Sequence, residues 1–189
     1  MAIKMLKKIF LIILVTTLSA CTSMNAANKE EAAKKSKIAG INVQLGMAYL
    51  GKGDNQRAKQ KLLYALEKDP QLPEAWYSMA YFLESTGNRK EAGQYYLKAL
   101  ALAPHRGDVQ NNYGTYLCRS GDYSGAIQHF MEATKDTQYL DLASAYENAG
   151  LCSMKIPDKV QAKRYFTQAL EQDPTRMLAM NELSRLKNV

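Results

Sequence analysis

The chain has 189 residues and a formal net charge of +7; 47% of its residues are hydrophobic and 23% are charged. Residues 1–20 hold three of the 25 basic residues and no acidic one, so the remainder carries 22 basic and 18 acidic residues, a net charge of +4. A modest charge that is mixed along helix faces does not predict a nucleic-acid partner, which would need a basic stripe. The length suits one elongated domain.

The N-terminal segment, residues 1–20, has the pattern of an export signal. Lys4, Lys7 and Lys8 precede a short apolar run over residues 9–18, about half the length that a membrane-spanning helix needs. The letters LSAC that end at Cys21 resemble the bacterial lipobox. The resemblance implies cleavage before Cys21 and acylation of its thiol and amine. The alternative is an ordinary signal peptide followed by an incidental cysteine.

The residue after the cysteine bears on the compartment. Lipoproteins kept in the inner membrane typically carry Asp there, whereas this chain has Thr22, so the resemblance favours the outer membrane. Residues 21–38 are predicted to be the lipidated cysteine and a flexible tether, because large apolar side chains are almost missing. Charges spaced four apart also make transient helix plausible there.

A 34-residue period runs through the rest of the chain. Ala65, Ala99 and Ala133 stand 34 residues apart, and Ala169 follows 36 residues later. Stacked supersecondary units produce such a period, and 34 residues is the length of the tetratricopeptide repeat, or TPR. The sequence therefore predicts an all-α TPR solenoid of four helix-turn-helix repeats and a C-terminal capping helix. The predicted bounds are 39–72, 73–106, 107–140 and 143–176 for the repeats and 177–189 for the capping helix.

Residues spaced three and four apart predict one packing stripe on each helix. Leu45, Gly46 and Tyr49 are expected to form the stripe of the first helix in repeat one. The second helices carry a recurring small–large–small set, which is expected to fill the core. Its members are Ala58, Leu62, Ala65, Ala92, Tyr96, Ala99, Ala126, Phe130, Ala133, Ala162, Phe166 and Ala169.

A partner-binding groove is predicted beside these stripes, since the first helices of a TPR superhelix line its concave face. Tyr77 and Tyr81, one turn apart, are the preferred pair, because Tyr and Arg are typical interface anchors. The alternative for each candidate is ordinary surface or packing between repeats. The candidates are Val43, Met47, Tyr77, Tyr81, Asn111, Thr115, Arg119, Glu147 and Leu151, with Met154 and Lys155 following in repeat four.

Two cysteines besides Cys21 fall within the predicted helices. Export would place Cys118 and Cys152 in an oxidising compartment. We expect two buried, unpaired side chains that behave as small hydrophobic residues. A disulfide between adjacent repeats and a reactive thiol are the alternatives.

Residue patterns for catalysis or metal binding are missing from the sequence. His105 and His129 stand in no metal-ligand spacing. The glycines around Lys52 lack the rest of a phosphate-binding loop and lie on a repeat turn. No nucleophile has a histidine and an acid at a recognisable spacing. We therefore predict no enzymatic activity, no metal and no cofactor.

A more specific pattern spans repeats three and four. It consists of NNYG at residues 111–114, EATKDTQY at 132–139 and YENAGL at 146–151, and it is similar to the PilF/PilW family of type IV pilus biogenesis lipoproteins. The resemblance implies an outer-membrane pilotin that faces the periplasm, binds PilQ-like secretin subunits and promotes their localisation and multimerisation. Longer relatives carry further repeats, so any secretin contact made there is expected to be missing.

The expected protein is thus a lipid-anchored, monomeric adaptor whose partner is a secretin. The alternative is a general periplasmic TPR scaffold that recruits cell-wall or outer-membrane assembly proteins.

Overall fold

The computed structural model describes residues 28–156 and 158–187, which form nine helices and no strand. The first helix, α1, covers residues 28–51. The predicted all-α TPR solenoid is confirmed. The other helices are α2 (Asn55–Lys68), α3 (Pro73–Ser85), α4 (Arg89–Leu102), α5 (Gly107–Ser120), α6 (Tyr123–Ala133), α7 (Leu142–Ser153), α8 (Lys159–Gln172) and α9 (Met177–Lys187).

Aspartate side chains begin several of these helices. The carboxylates of Asp54, Asp122 and Asp158 accept backbone N–H groups at the starts of α2, α6 and α8, at 3.0, 2.9 and 2.9 Å. Each bond satisfies a helix-terminal donor that has no partner within the helix. At the turn between α5 and α6, Gly121 has φ of 91°, a left-handed conformation that other residues adopt at a cost. Polar caps and glycine turns therefore divide the chain into hairpins.

The second helices supply the core, as the small–large–small set predicts. Tyr96, Phe130 and Phe166 are at most 1% exposed. Close packing explains the small residues opposite them, since a Cβ atom on Gly114 would lie 2.8 Å from the Phe130 ring. The equivalent Gly150 has the same relation to Phe166, at 2.7 Å. A first helix thus approaches its second helix closely enough to exclude a side chain at that point.

Two expectations about the N-terminal part are wrong. Residues 28–38 are helical and continuous with α1, not a flexible tether. Alanines and an i,i+4 ion pair between Lys35 and Glu31, at 2.7 Å, favour helix there. Leu45 is 41% exposed, so it lies off the packing stripe, whereas its neighbour Gly46 packs against Leu62.

The predicted export signal and Cys21 lie outside the described residues. Among the helices of residues 28–156 and 158–187, none is long and apolar enough to cross a membrane.

Candidate protein-binding groove

The first helices of successive repeats form one side of the molecule. Helix α3 contacts α5, and α5 contacts α7. We call this side, which carries the predicted groove residues, the first-helix face. It contains a cleft of about 590 Å³ between α5, α7 and α9, which we call the α5–α7–α9 cleft. Its lining residues are Thr115, Cys118, Arg119, Phe130, Asn148, Leu151, Met154, Lys155 and Glu182.

Apolar side chains and charges meet in this cleft. Phe130 is 1% exposed, whereas Met154, at the end of α7, is 38% exposed. Leu151 packs against the cluster formed by α8 and α9. Lys155 is exposed, and Glu182 lies with its carboxylate 3.0 Å from Arg185. An apolar centre with a polar rim is the usual composition of a protein-binding surface.

One cleft-lining residue, Cys118, takes part in a disulfide. Cys118 on α5 and Cys152 on α7 are bonded, with 5.9 Å between their Cα atoms. Our expectation of two unpaired cysteines is therefore wrong. The two residues belong to different repeats, so their proximity depends on how α5 stacks on α7, which the spacing within one helix does not reveal. The bond ties together the two helices that carry most of the cleft.

Arg119 lies at one end of the cleft and is neutralised within the protein. Its Nε and Nη2 atoms donate to the two oxygens of Glu84 at 2.8 and 2.7 Å. The Glu84 side chain is only 6% exposed. The guanidinium also lies 5.7 Å from the ring centre of Tyr81, which is 39% exposed. This cluster joins α3 to α5 and leaves the Tyr81 ring partly open to a partner.

Other predicted groove residues form contacts between repeats. The hydroxyl of Tyr77 donates to Asp108 at 3.2 Å, and burial, with the nearby Asp108 carboxylate, raises the pKa of that hydroxyl well above its usual range. Asn148 donates to the side-chain oxygen of Asn111 at 3.0 Å. Glu147 lies 3.8 Å from a guanidinium nitrogen of Arg176. These polar side chains therefore connect neighbouring repeats, or α7 to the segment that precedes α9.

The two candidates on α1 are away from the cleft. Val43 packs against the small cluster of Ala39, Ala65 and Ala75, and Met47 is half-buried. The structure thus brings Thr115, Arg119 and Leu151 together in the cleft, with Met154 and Lys155 beside them. The remaining members of the predicted set lie outside the cleft lining, on α1, α3, α5 and α7.

Four cleft residues were missed by the sequence analysis, one of them Cys118, which was expected to be a buried, unpaired side chain. Phe130 was assigned to the core, but it also lines the cleft. Asn148 lies next to the predicted Glu147. Glu182 belongs to α9, to which we assigned only a capping role. Neighbouring groove positions could have suggested Asn148, but the approach of α9 to α7 is a tertiary feature.

A larger cleft, of about 760 Å³, lies at the loops between repeats two, three and four. Leu140, 99% exposed, stands at its edge. Its acidic side chains serve the fold, because Asp136 accepts the backbone N–H of Gly107 at 2.7 Å and Asp141 pairs with Arg176. None of the predicted groove residues lines it.

No group of three or more potential metal ligands occurs among residues 28–156 and 158–187. His129 has a structural environment: its Nδ1 atom lies 2.5 Å from the side-chain oxygen of Gln110. Its ring packs edge-on against Tyr113 with 4.7 Å between centroids. Burial lowers the pKa of His129. The described part of the first-helix face carries aromatic, apolar and charged side chains.

The fold and this face define a protein of the tetratricopeptide-repeat class. The tetratricopeptide-repeat family model matches residues 43–107. The chain is 36% identical over 144 residues to the type IV pilus assembly protein PilF of Pseudomonas aeruginosa. That alignment covers 75% of this chain and 57% of PilF, so the chain spans little more than half of that relative's length.

Solved structures agree with the sequence relationship. The Pseudomonas aeruginosa PilF structure superposes with a TM-score of 0.76 and 32% identity, over 82% of this chain and 70% of that one. PilW, described as a widely conserved type IV pilus biogenesis factor, superposes with a TM-score of 0.74 and 29% identity. That superposition covers 80% of this chain and 69% of PilW. The chain belongs to the PilF/PilW family of tetratricopeptide-repeat proteins.

Proposed function

We propose that the protein is an outer-membrane lipoprotein that acts as a pilotin. It binds secretin subunits and promotes their localisation and multimerisation during type IV pilus biogenesis. The observation that carries the proposal is the 36% identity to a type IV pilus assembly protein over three quarters of the chain. The TPR fold supports it, because stacked helical hairpins offer an extended binding surface.

The proposed binding site is the α5–α7–α9 cleft together with the neighbouring Tyr81 ring. Leu151 and Met154 supply apolar contact surface, and Tyr81 and Arg119 add the aromatic and guanidinium groups that often anchor interfaces. The disulfide between α5 and α7 holds the cleft in one shape. A preformed site loses less conformational entropy when the partner binds.

Met154→Glu tests the site. The residue is partly exposed at the end of α7, so the variant is expected to fold, while a carboxylate in the apolar part of the cleft should weaken partner binding about tenfold or more. The matched control is Val160→Glu on α8, since Val160 is 82% exposed and outside the cleft. Secretin recovered with the tagged protein from detergent extracts is the measurement.

A deletion strain tests the function itself. We expect it to lose heat-stable secretin multimers and surface pili, and the wild-type chain and V160E to restore both, unlike M154E. Normal multimers without the protein would contradict the pilotin proposal. Recovery of cell-wall or outer-membrane assembly proteins in place of secretin would favour the general scaffold.

Lipid anchoring through Cys21 is tested separately. Cys21→Ala should move the protein from the membrane fraction to the periplasmic fraction, because the alanine side chain has no sulfur atom to which lipid can be attached. Continued membrane association of that variant in a high-salt wash would exclude the lipobox interpretation.

A further inference from the structure

The charged side chains of the α5–α7–α9 cleft differ in whether they have an ion-pair partner within the protein. Three charged side chains line the cleft, Arg119, Lys155 and Glu182. Arg119 is paired with both oxygens of the buried Glu84 carboxylate, and Glu182 is paired with Arg185. Within the described residues, Lys155 has no ion-pair partner in the fold, and it is exposed. Among the residues that the structure describes, the uncompensated charge of the cleft is therefore positive and belongs to Lys155.

The apolar contact surface lies directly beside that charge. Met154 precedes Lys155 in the chain and is 38% exposed, and Leu151 lies one helical turn earlier on α7. A partner side chain that covers these two residues brings its neighbours in sequence next to the ammonium group. Electrostatic complementarity at such a rim favours a negative group and disfavours a positive one.

We propose that the α5–α7–α9 cleft selects an extended polypeptide segment carrying a large apolar side chain with an Asp or Glu close to it in sequence. The apolar side chain covers Leu151 and Met154, and the carboxylate pairs with Lys155. This inference rests on the proposed function, because it specifies the partner segment that the same cleft binds. Arg119 does not serve as the carboxylate receptor, since Glu84 occupies its guanidinium.

A peptide selection with a charge reversal tests this chemistry. The probe is a library of random twelve-residue peptides displayed on phage, selected against the immobilised full chain. We expect peptides with an aromatic or large aliphatic residue and an acidic residue within three positions. Lys155→Glu should reverse the preference, so that Lys or Arg replaces the acidic residue. The variant changes an exposed side chain, so its fold is expected to persist.

The matched control is Lys163→Glu, an exposed lysine of α8 that does not line the cleft. It should keep the acidic preference of the wild type. For a selected acidic peptide, K155E should raise the Kd about fivefold at low salt, with a smaller difference at high salt because mobile ions screen exposed pairs. Circular dichroism establishes that both variants are folded.

Several outcomes would overturn the inference: no enrichment of peptides, enrichment without an acidic preference, the same preference in K155E, or its loss in K163E. The outcome is separable from that of the proposed function. If the preference follows the sign of residue 155 but secretin is not recovered with the protein, the pilotin proposal fails and the cleft chemistry stands. If M154E abolishes secretin recovery and K155E changes nothing, the pilotin proposal stands and the inference about the cleft fails.

Discussion

The second helices and the first helices of the repeats differ in how strictly their residues recur. In α2, α4, α6 and α8 the same three core positions are filled by alanine, a large side chain and alanine, all at most 1% exposed. On the first-helix face, equivalent positions change from aromatic to amide to carboxylate between repeats. The comparison separates two roles, because a repeated core stacks any number of hairpins, whereas a varied face can recognise one partner.

Some of the varied positions on the first-helix face also form ion pairs and hydrogen bonds that hold the repeats together. Tyr77, Asn111 and Glu147 contact side chains of adjacent repeats or of the chain preceding α9. These contacts make the varied positions partly structural. Tyr81 and Met154 remain partly exposed on this face, and the proposed binding site is built around them.

The largest expected effect comes from the repeated core. Phe130→Ala removes a side chain that is 1% exposed and packed against Gly114, and should lower the free energy of unfolding by about 4 kcal/mol through lost burial and a cavity. Chemical denaturation monitored by circular dichroism measures it. Val160→Ala on the exposed side of α8 serves as the control and should cost less than about 0.5 kcal/mol. Similar losses in the two variants would remove the distinction between core and surface positions.

The next largest expected effect on the free energy of unfolding comes from the disulfide, which joins neighbouring repeats. Cys118 and Cys152 close a loop with a sequence separation of 34 residues, so replacing both by Ser should reduce the free energy of unfolding by about 3 kcal/mol. Denaturation of the oxidised chain with and without reductant provides a second measurement. The double variant should be insensitive to reductant. If reductant leaves the wild-type transition unchanged, the bond does not stabilise the stacking of α5 on α7.

A smaller effect is expected from the ion pair on the first-helix face. Glu84→Gln leaves Arg119 without its charged partner and should lower the free energy of unfolding by about 1 kcal/mol. The loss is moderate because Arg119 is 40% exposed, so that water solvates part of its charge. The control is Glu132→Gln, whose partner Lys135 is 68% exposed, with an expected effect near zero. Thermal denaturation compares the two. A cost for E84Q no greater than that of E132Q would mean that this part of the face is not structural.

The sequence alone determined the repeat architecture. The 34-residue period and the alternation of small and large residues are local patterns, and each hairpin forms from residues close in the chain. They sufficed to predict the TPR fold and the buried positions Leu62, Tyr96, Phe130 and Phe166. The motifs of repeats three and four also sufficed to predict the PilF/PilW family.

Which of the predicted groove residues remain exposed depends on contacts between repeats that the sequence does not reveal. The contacts that occupy Tyr77 and Asn111 join residues 31 and 37 positions apart, and the bond between Cys118 and Cys152 spans 34. Each depends on how one hairpin rotates and stacks on the next. A helical period assigns a residue to a face of its own helix, but it carries no information about the side chain that the neighbouring repeat brings opposite, because that placement depends on packing between distant segments.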